Sequence, residues 1–174
     1  MTTAYDISGS VRFAVNLSFN KTVDLNVIDN PVNISDRFSI TFGSGANQYS
    51  QIYKKTVVLA DGENSTLNLY DSGTLLDDYG NAVAISSLKL LYIKNNSADA
   101  NLLVFGGNSA DIPILSAATA KYIIPPGGLY PYISPLAAGL NITTNKNLRL
   151  EHDGTGTSTM NVTIIAAGRN AALE

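Results

Sequence analysis

VRFAVNLSF, residues 11–19, decides the fold class. Val11, Phe13, Val15, Leu17 and Phe19 hold the odd positions, and Arg12, Ala14, Asn16 and Ser18 hold the even ones. A repeat of two belongs to a strand, because successive side chains of an extended backbone point to opposite faces. The expectation is a strand with its odd face buried and its even face in water. The pattern extends outward from there. TVDLNVI (22–28) alternates Val23, Leu25 and Val27 with Asp24 and Asn26, DNP (29–31) reads as a break, and FSITF (38–42) alternates again. GSGANQ (43–48) then reads as a flexible turn.

The same rhythm continues to the end of the chain. YSQIYKKTVVLA (49–60) reads as a strand entering a sheet, Asp61-Gly62 as a hairpin turn, and TLNLYD (66–71) as the next strand. Residues 71–85 mix turn residues with Leu75 and Leu76 and suggest one short helical turn. SSLKLLYIKN (86–95) is the most apolar run and is expected at the centre of a sheet. Leu88, Leu90 and Tyr92 are placed on one face, and Leu91 and Ile93 on the other. A strand within 95–107, a short one at IPIL (112–115), ATAKYII (118–124), NITTNKNLRLEH (141–152) and TMNVTIIAAG (159–168) follow. About ten short strands with regular turns predict an all-β fold, a two-sheet antiparallel sandwich, jelly-roll-like. The expected organisation is one domain over 11–168, an N-terminal arm at 1–10 that orders on binding, and a tail at 169–174. The last four residues, AALE, read equally as native sequence or as a cloning scar. GNSAD (107–111) is the best boundary candidate, and it is rejected because strands continue through it.

Composition narrows the function classes. The chain has 174 residues, enough for one well-buried domain, and a net charge of −3. It has no cysteine, which excludes disulfides and thiolate chemistry. Only 14% of residues are charged, against the usual quarter, which suits a protein packed against neighbours. Lys54-Lys55 is the densest basic point, too little for a phosphate-binding stripe, so no nucleic-acid partner is expected. No apolar run approaches the roughly 20 residues that span a bilayer, so no membrane partner is expected. MTTAYDISGS shows neither a basic nor an apolar signal region, and no secretory leader is expected.

Few residues offer chemistry. His152 is the only histidine, within Glu151-His152-Asp153-Gly154. On a strand its two acidic neighbours point away from it, and no second His or Cys exists to complete a zinc set. It therefore reads as a strand end before a turn. Asp77-Asp78-Tyr79-Gly80-Asn81 could gather calcium oxygens, but Asp and Asn form such turns by bonding their own backbone. No catalytic residue, metal or cofactor is expected.

YIIPPGGLYPYISP (122–135) holds four of the six prolines and three tyrosines. Pro125-Pro126 stops a strand, Gly127-Gly128 allows a reversal, and Pro131 confines the next segment to a sheet edge. The segment reads first as a rigid corner between the sheets. The sharper reading is a preorganised interface for a partner protein, built from Tyr122, Pro125, Pro126, Leu129, Tyr130, Pro131 and Tyr132.

Three features together carry a resemblance: the YIKN strand end (92–95), the PPGG corner (125–128) and LEHDGTGT (150–157). In these the chain resembles small β-sandwich virion proteins of tailed bacteriophages, over roughly residues 11–168. The resemblance implies a non-enzymatic structural role in the virion, as a capsid decoration (cement) protein. It implies the major capsid protein or other virion proteins as partners, and a homo-oligomer such as a trimer. The alternative is a receptor- or carbohydrate-binding module of a phage tail. His152→Ala is the test of the remaining class, an enzyme.

Overall fold

The computed structural model describes residues 7–23, 26–71, 75–77, 79–106, 110–115, 117, 119–156 and 159–170. The fold is all-β, and no helix occurs among the described residues. The described strands are β1 (Gly9–Val23), β2 (Asn26–Phe42), β3 (Gln48–Tyr49), β4 (Gln51–Leu59), β5 (Asn64–Asn68), β6 (Ser87–Asn95), β7 (Leu102–Phe105), β8 (Lys121–Ile124), β9 (Leu129–Ile133), β10 (Leu140–Asn141), β11 (Asn147–His152) and β12 (Met160–Arg169).

Two antiparallel sheets make the sandwich. One runs β10-β6-β12-β4, with β9 also paired to β6; the other runs β5-β11-β7-β8. Leu59, Leu88, Leu91, Ile93, Val162 and Ile164 of the first meet Leu67, Leu102, Val104, Ile124, Leu148 and Leu150 of the second in one core. β6 is central, as its apolar run predicts, and all but two of its nine residues are buried. The Asp61-Gly62 turn forms, with Gly62 at φ +67° and Glu63 N donating to Ala60 O at 3.0 Å. It is not a hairpin, however, because β4 and β5 belong to different sheets. The turn carries the chain from one layer to the other.

Four further expectations are corrected. Residues 112–115 form no strand; Ile112 is buried beside the Asp111–Asn147 bridge instead. Among the described residues of 71–85 there is no helical turn, only the bridges Tyr70–Ala84 and Leu76–Ala82. The expected face assignment fails at Leu88, which joins the core with Leu91 and Ile93 while Leu90 faces outward with Tyr49 and Ala167. The reason is a bulge: Ala167 pairs with Leu90 but Gly168 pairs with Leu88, so Lys89 is an extra residue and the parity flips. Gly168 is required there, because a Cβ would run into the Ser87 carbonyl.

The fourth correction concerns the opening stretch. β1 and β2 form a long antiparallel ribbon of 15 and 17 residues, far from short. DNP (29–31) does not break it, since Pro31 lies within β2 opposite Ser18. Among the described residues, β2 pairs with β1 on one side and with β3 only at Thr41–Phe42, which leaves its other edge free at Pro31, where a missing N–H is tolerated. The odd face of β1 is not buried within the chain: Val15, Leu17 and Ile34 stand exposed. Of the predicted N-terminal arm, residues 9 and 10 belong to β1 and residues 1–6 lie outside the described residues. Of the predicted tail, Arg169 ends β12, and residues 171–174 also lie outside them.

Candidate functional site

The Tyr122–Tyr132 segment crosses the sandwich. β8 is the edge of the four-stranded sheet and β9 pairs only with β6 in the five-stranded one, so Pro125–Gly128 is the corner between the layers. Gly127 has φ +71°, and Gly128 N donates to Pro125 O at 2.9 Å. The positive φ accounts for Gly127, and a Cβ at Gly128 would crowd the Pro125 carbonyl and ring. Pro131 sits opposite Tyr92 on an edge strand, where proline does the least damage.

The seven candidate interface residues divide by orientation. Tyr130 and Tyr132 lie opposite the core residues Ile93 and Leu91, and both pack against the core. Tyr122 meets Tyr130 edge-on, with ring centroids 5.0 Å apart at 65°. Tyr130 and Tyr132 are thus half-buried, and Tyr122 stands exposed beside them. Burial, then the neighbouring Tyr122 and Tyr132, pushes the Tyr130 phenol above its ordinary value. Tyr122, Pro125, Pro126, Leu129 and Pro131 are exposed. The segment is therefore a corner first, with a small exposed Tyr/Leu/Pro surface on it.

The three sequence features behind the resemblance meet in space. Asn95, at the end of YIKN, is fully buried; its Nδ2 donates to Ala100 O at 2.8 Å and Ile124 O at 3.0 Å, while its Oδ1 accepts from Ser97 N at 2.9 Å. Asn95 N donates to Gly128 O at 3.0 Å, which ties the strand end to the PPGG corner. Asp153 accepts from Asn101 Nδ2 at 2.7 Å and from Thr155 Oγ1 at 2.7 Å, which ties the 150–157 segment to the same β6–β7 arch. His152 is fully buried at the end of β11, and its Nδ1 accepts from Gly154 N at 3.0 Å. Among the described residues, no group of three or more His, Asp or Glu converges as a metal site. Asp77 closes its own turn, accepting from Tyr79 N at 2.9 Å and Asn81 N at 2.7 Å; Asp78 lies outside the described residues.

Sequence reasoning missed three features. The first is the exposed apolar face of the β1–β2 ribbon. The second is Lys89, fully buried, whose Nζ donates to Gly45 O and Gln48 O, both at 2.8 Å, and lies 5.9 Å from the Tyr49 ring centroid. Lys89 thereby binds the loop at the foot of the ribbon to the sandwich. The third is a cleft of about 340 Å³ lined by residues including Ser50, Gln51, Lys54, Asp77 and Tyr79, with Tyr79 88% exposed. Only the ribbon had a signal in the sequence, its alternation, and alternation does not say what covers the apolar face.

No family model matches the chain, no curated protein matches it, and no solved structure matches its fold.

Proposed function

We propose that this chain is a non-enzymatic structural protein of a tailed-phage virion, of the capsid decoration (cement) type, which stabilises the head by binding the major capsid protein. The observation that carries the reading is a closed sandwich with one long amphipathic ribbon whose apolar side is exposed. Large exposed apolar surface belongs to proteins that dock on others, and many repeated weak contacts on a shell add by multivalency. The resemblance in the YIKN, PPGG and LEHDGTGT segments supplies the virion context. The wiring supports the jelly-roll reading: the chain changes sheet between β4 and β5, β5 and β6, β6 and β7, β8 and β9, β10 and β11, and β11 and β12. The test is sedimentation of the purified chain with expanded phage capsids. Saturable co-sedimentation is the expected result, and a chain left wholly in the supernatant overturns the reading.

The second reading is a carbohydrate- or receptor-binding module of a phage tail. The cleft beside exposed Tyr79 favours it, since an aromatic face at a pocket can stack on a sugar. Tyr130 and Tyr132, in the segment read as a candidate interface, pack against the core. A glycan array is the test. Binding that Tyr79→Ala removes would select this reading, and a blank array would reject it.

A further inference from the structure

The cleft beside Tyr79 joins two parts of the chain: the start of β4, and the turn that closes on Asp77. That turn is held at several points. Asp77 accepts from Tyr79 N at 2.9 Å, from Asn81 N at 2.7 Å and from Asn81 Nδ2 at 3.1 Å. The Leu76–Ala82 bridge ties its two legs together. Tyr79 is therefore presented at 88% exposure on a fixed backbone. The Asp77 oxygens are taken up by the turn, so Asp77 serves the cleft by placing Tyr79. On the β4 side, Ile52 adds exposed apolar surface.

Two polar side chains at the cleft have no partner among the described residues. Gln51 lines the cleft and is only 8% exposed, yet no described residue hydrogen-bonds its side-chain amide. A buried amide left unbonded is costly. The Gln51 amide is not among the polar atoms sealed from solvent, so the cleft is where it meets water or a ligand. Lys54 lines the same cleft, is exposed, and forms no ion pair among the described residues. The cleft thus offers an aromatic face, an amide and a cation.

We propose that this cleft binds a saccharide that carries a carboxylate, a uronic acid unit. The apolar face of the sugar ring stacks on Tyr79. The Gln51 amide, with one acceptor and two donors, matches neighbouring hydroxyls. Lys54 pairs with the carboxylate by a charge-assisted hydrogen bond. A wholly apolar ligand would leave Gln51 and Lys54 desolvated and unpaired. A neutral sugar would use the ring and the amide but not the cation. The volume, about 340 Å³, lies at the small end of ligand sites, roughly 300–1,000 Å³, and suits one or two rings. This inference rests on the carbohydrate-binding reading and narrows it; the capsid reading does not depend on it.

NMR titration of the purified chain tests it, with glucuronate and galacturonate as probes and glucose and galactose as their uncharged counterparts. At least one uronate is expected to bind, and its neutral counterpart to bind about tenfold more weakly. Tyr79→Ala should remove the binding. Lys54→Met should weaken the uronate about tenfold and bring it level with the neutral sugar, while Lys54→Arg keeps the preference. Tyr79 and Lys54 are both exposed, so each variant should keep the wild-type melting temperature. Neither uronate binding, a uronate that still binds Tyr79→Ala, or a preference that survives Lys54→Met would each overturn the inference. Equal binding of the acidic and neutral sugars, lost in Tyr79→Ala, would overturn it and leave the carbohydrate-binding reading standing. No binding of any of the four, together with a blank glycan array, would end both.

Discussion

Lys89 shows how one residue can join two parts of a fold. It exists as the extra residue of the β6 bulge, and the bulge aims it at the loop below the ribbon, where its ammonium meets the Gly45 and Gln48 carbonyls. A buried ammonium is stable only with such acceptors around it. Lys89→Met keeps most of the volume and removes the donor, leaving those carbonyls short of a partner. The expected cost is about 2–3 kcal/mol in urea unfolding. A loss below about 0.5 kcal/mol would show that water replaces the ammonium freely. Asp153 is a second residue with a testable role. Burial would raise its carboxyl, but hydrogen bonds from Thr155 and Asn101 outweigh it and hold the group below the ordinary aspartate range. A carboxyl depressed in the folded state stabilises fully above its unfolded value, about pH 3.9, and that contribution is lost as pH falls through the folded value. Asp153→Asn should therefore lower stability at neutral pH and flatten its fall below about pH 4. An acid limb as steep as that of the wild type would refute the assignment.

At the scale of elements, the ribbon and the sandwich depend on different interactions. No described side chain from Phe13 to Asp36 belongs to the sandwich core. Arg12 and Arg37 are directly opposed, so a two-residue Asn-Gly turn can join them in place of residues 13–36. The shortened chain should unfold in one transition within a few degrees of the wild type, measured by circular dichroism. A large drop would mean that the ribbon supports the sandwich rather than projecting from it. The PPGG corner is less forgiving: Gly127→Ala places a side chain at φ +71° and should cost about 1–2 kcal/mol. These two elements also mark how far the sequence could be read. The alternation of 11–19, the apolar run of β6 and the prolines of the corner each follow from local physics, and each was legible. Pro31 within a strand was not, because its tolerance depends on a free edge that only the sheet order reveals. Leu88 was assigned to the wrong face because the bulge at Lys89 has no signature in its own residues; it answers to Gly168, far along the chain. Asp61-Gly62 announced a turn but not its destination, since a turn sets a reversal and the sheets decide what the strands pair with.

At the scale of the molecule, the fold separates a rigid body from a projecting one, and the two should differ in dynamics. β6 and β12 are paired on both sides and mostly buried, so opening them requires breaking the ladders on both sides and the core beneath. Over residues 12–18 and 31–37 the ribbon has one ladder and is exposed on both faces among the described residues. Protection against hydrogen exchange follows the free energy of the cheapest opening, and few buried contacts mean a cheap one. Amides of β6 and β12 should therefore exchange only through global unfolding. Amides of residues 11–18 and 31–38 should exchange orders of magnitude faster at high dilution. Binding to capsids through the ribbon should slow the ribbon amides and leave the β6 and β12 amides unchanged. Ribbon amides as slow as those of β6 at every dilution would mean that the ribbon is held within the single chain, and the division into two bodies would fail.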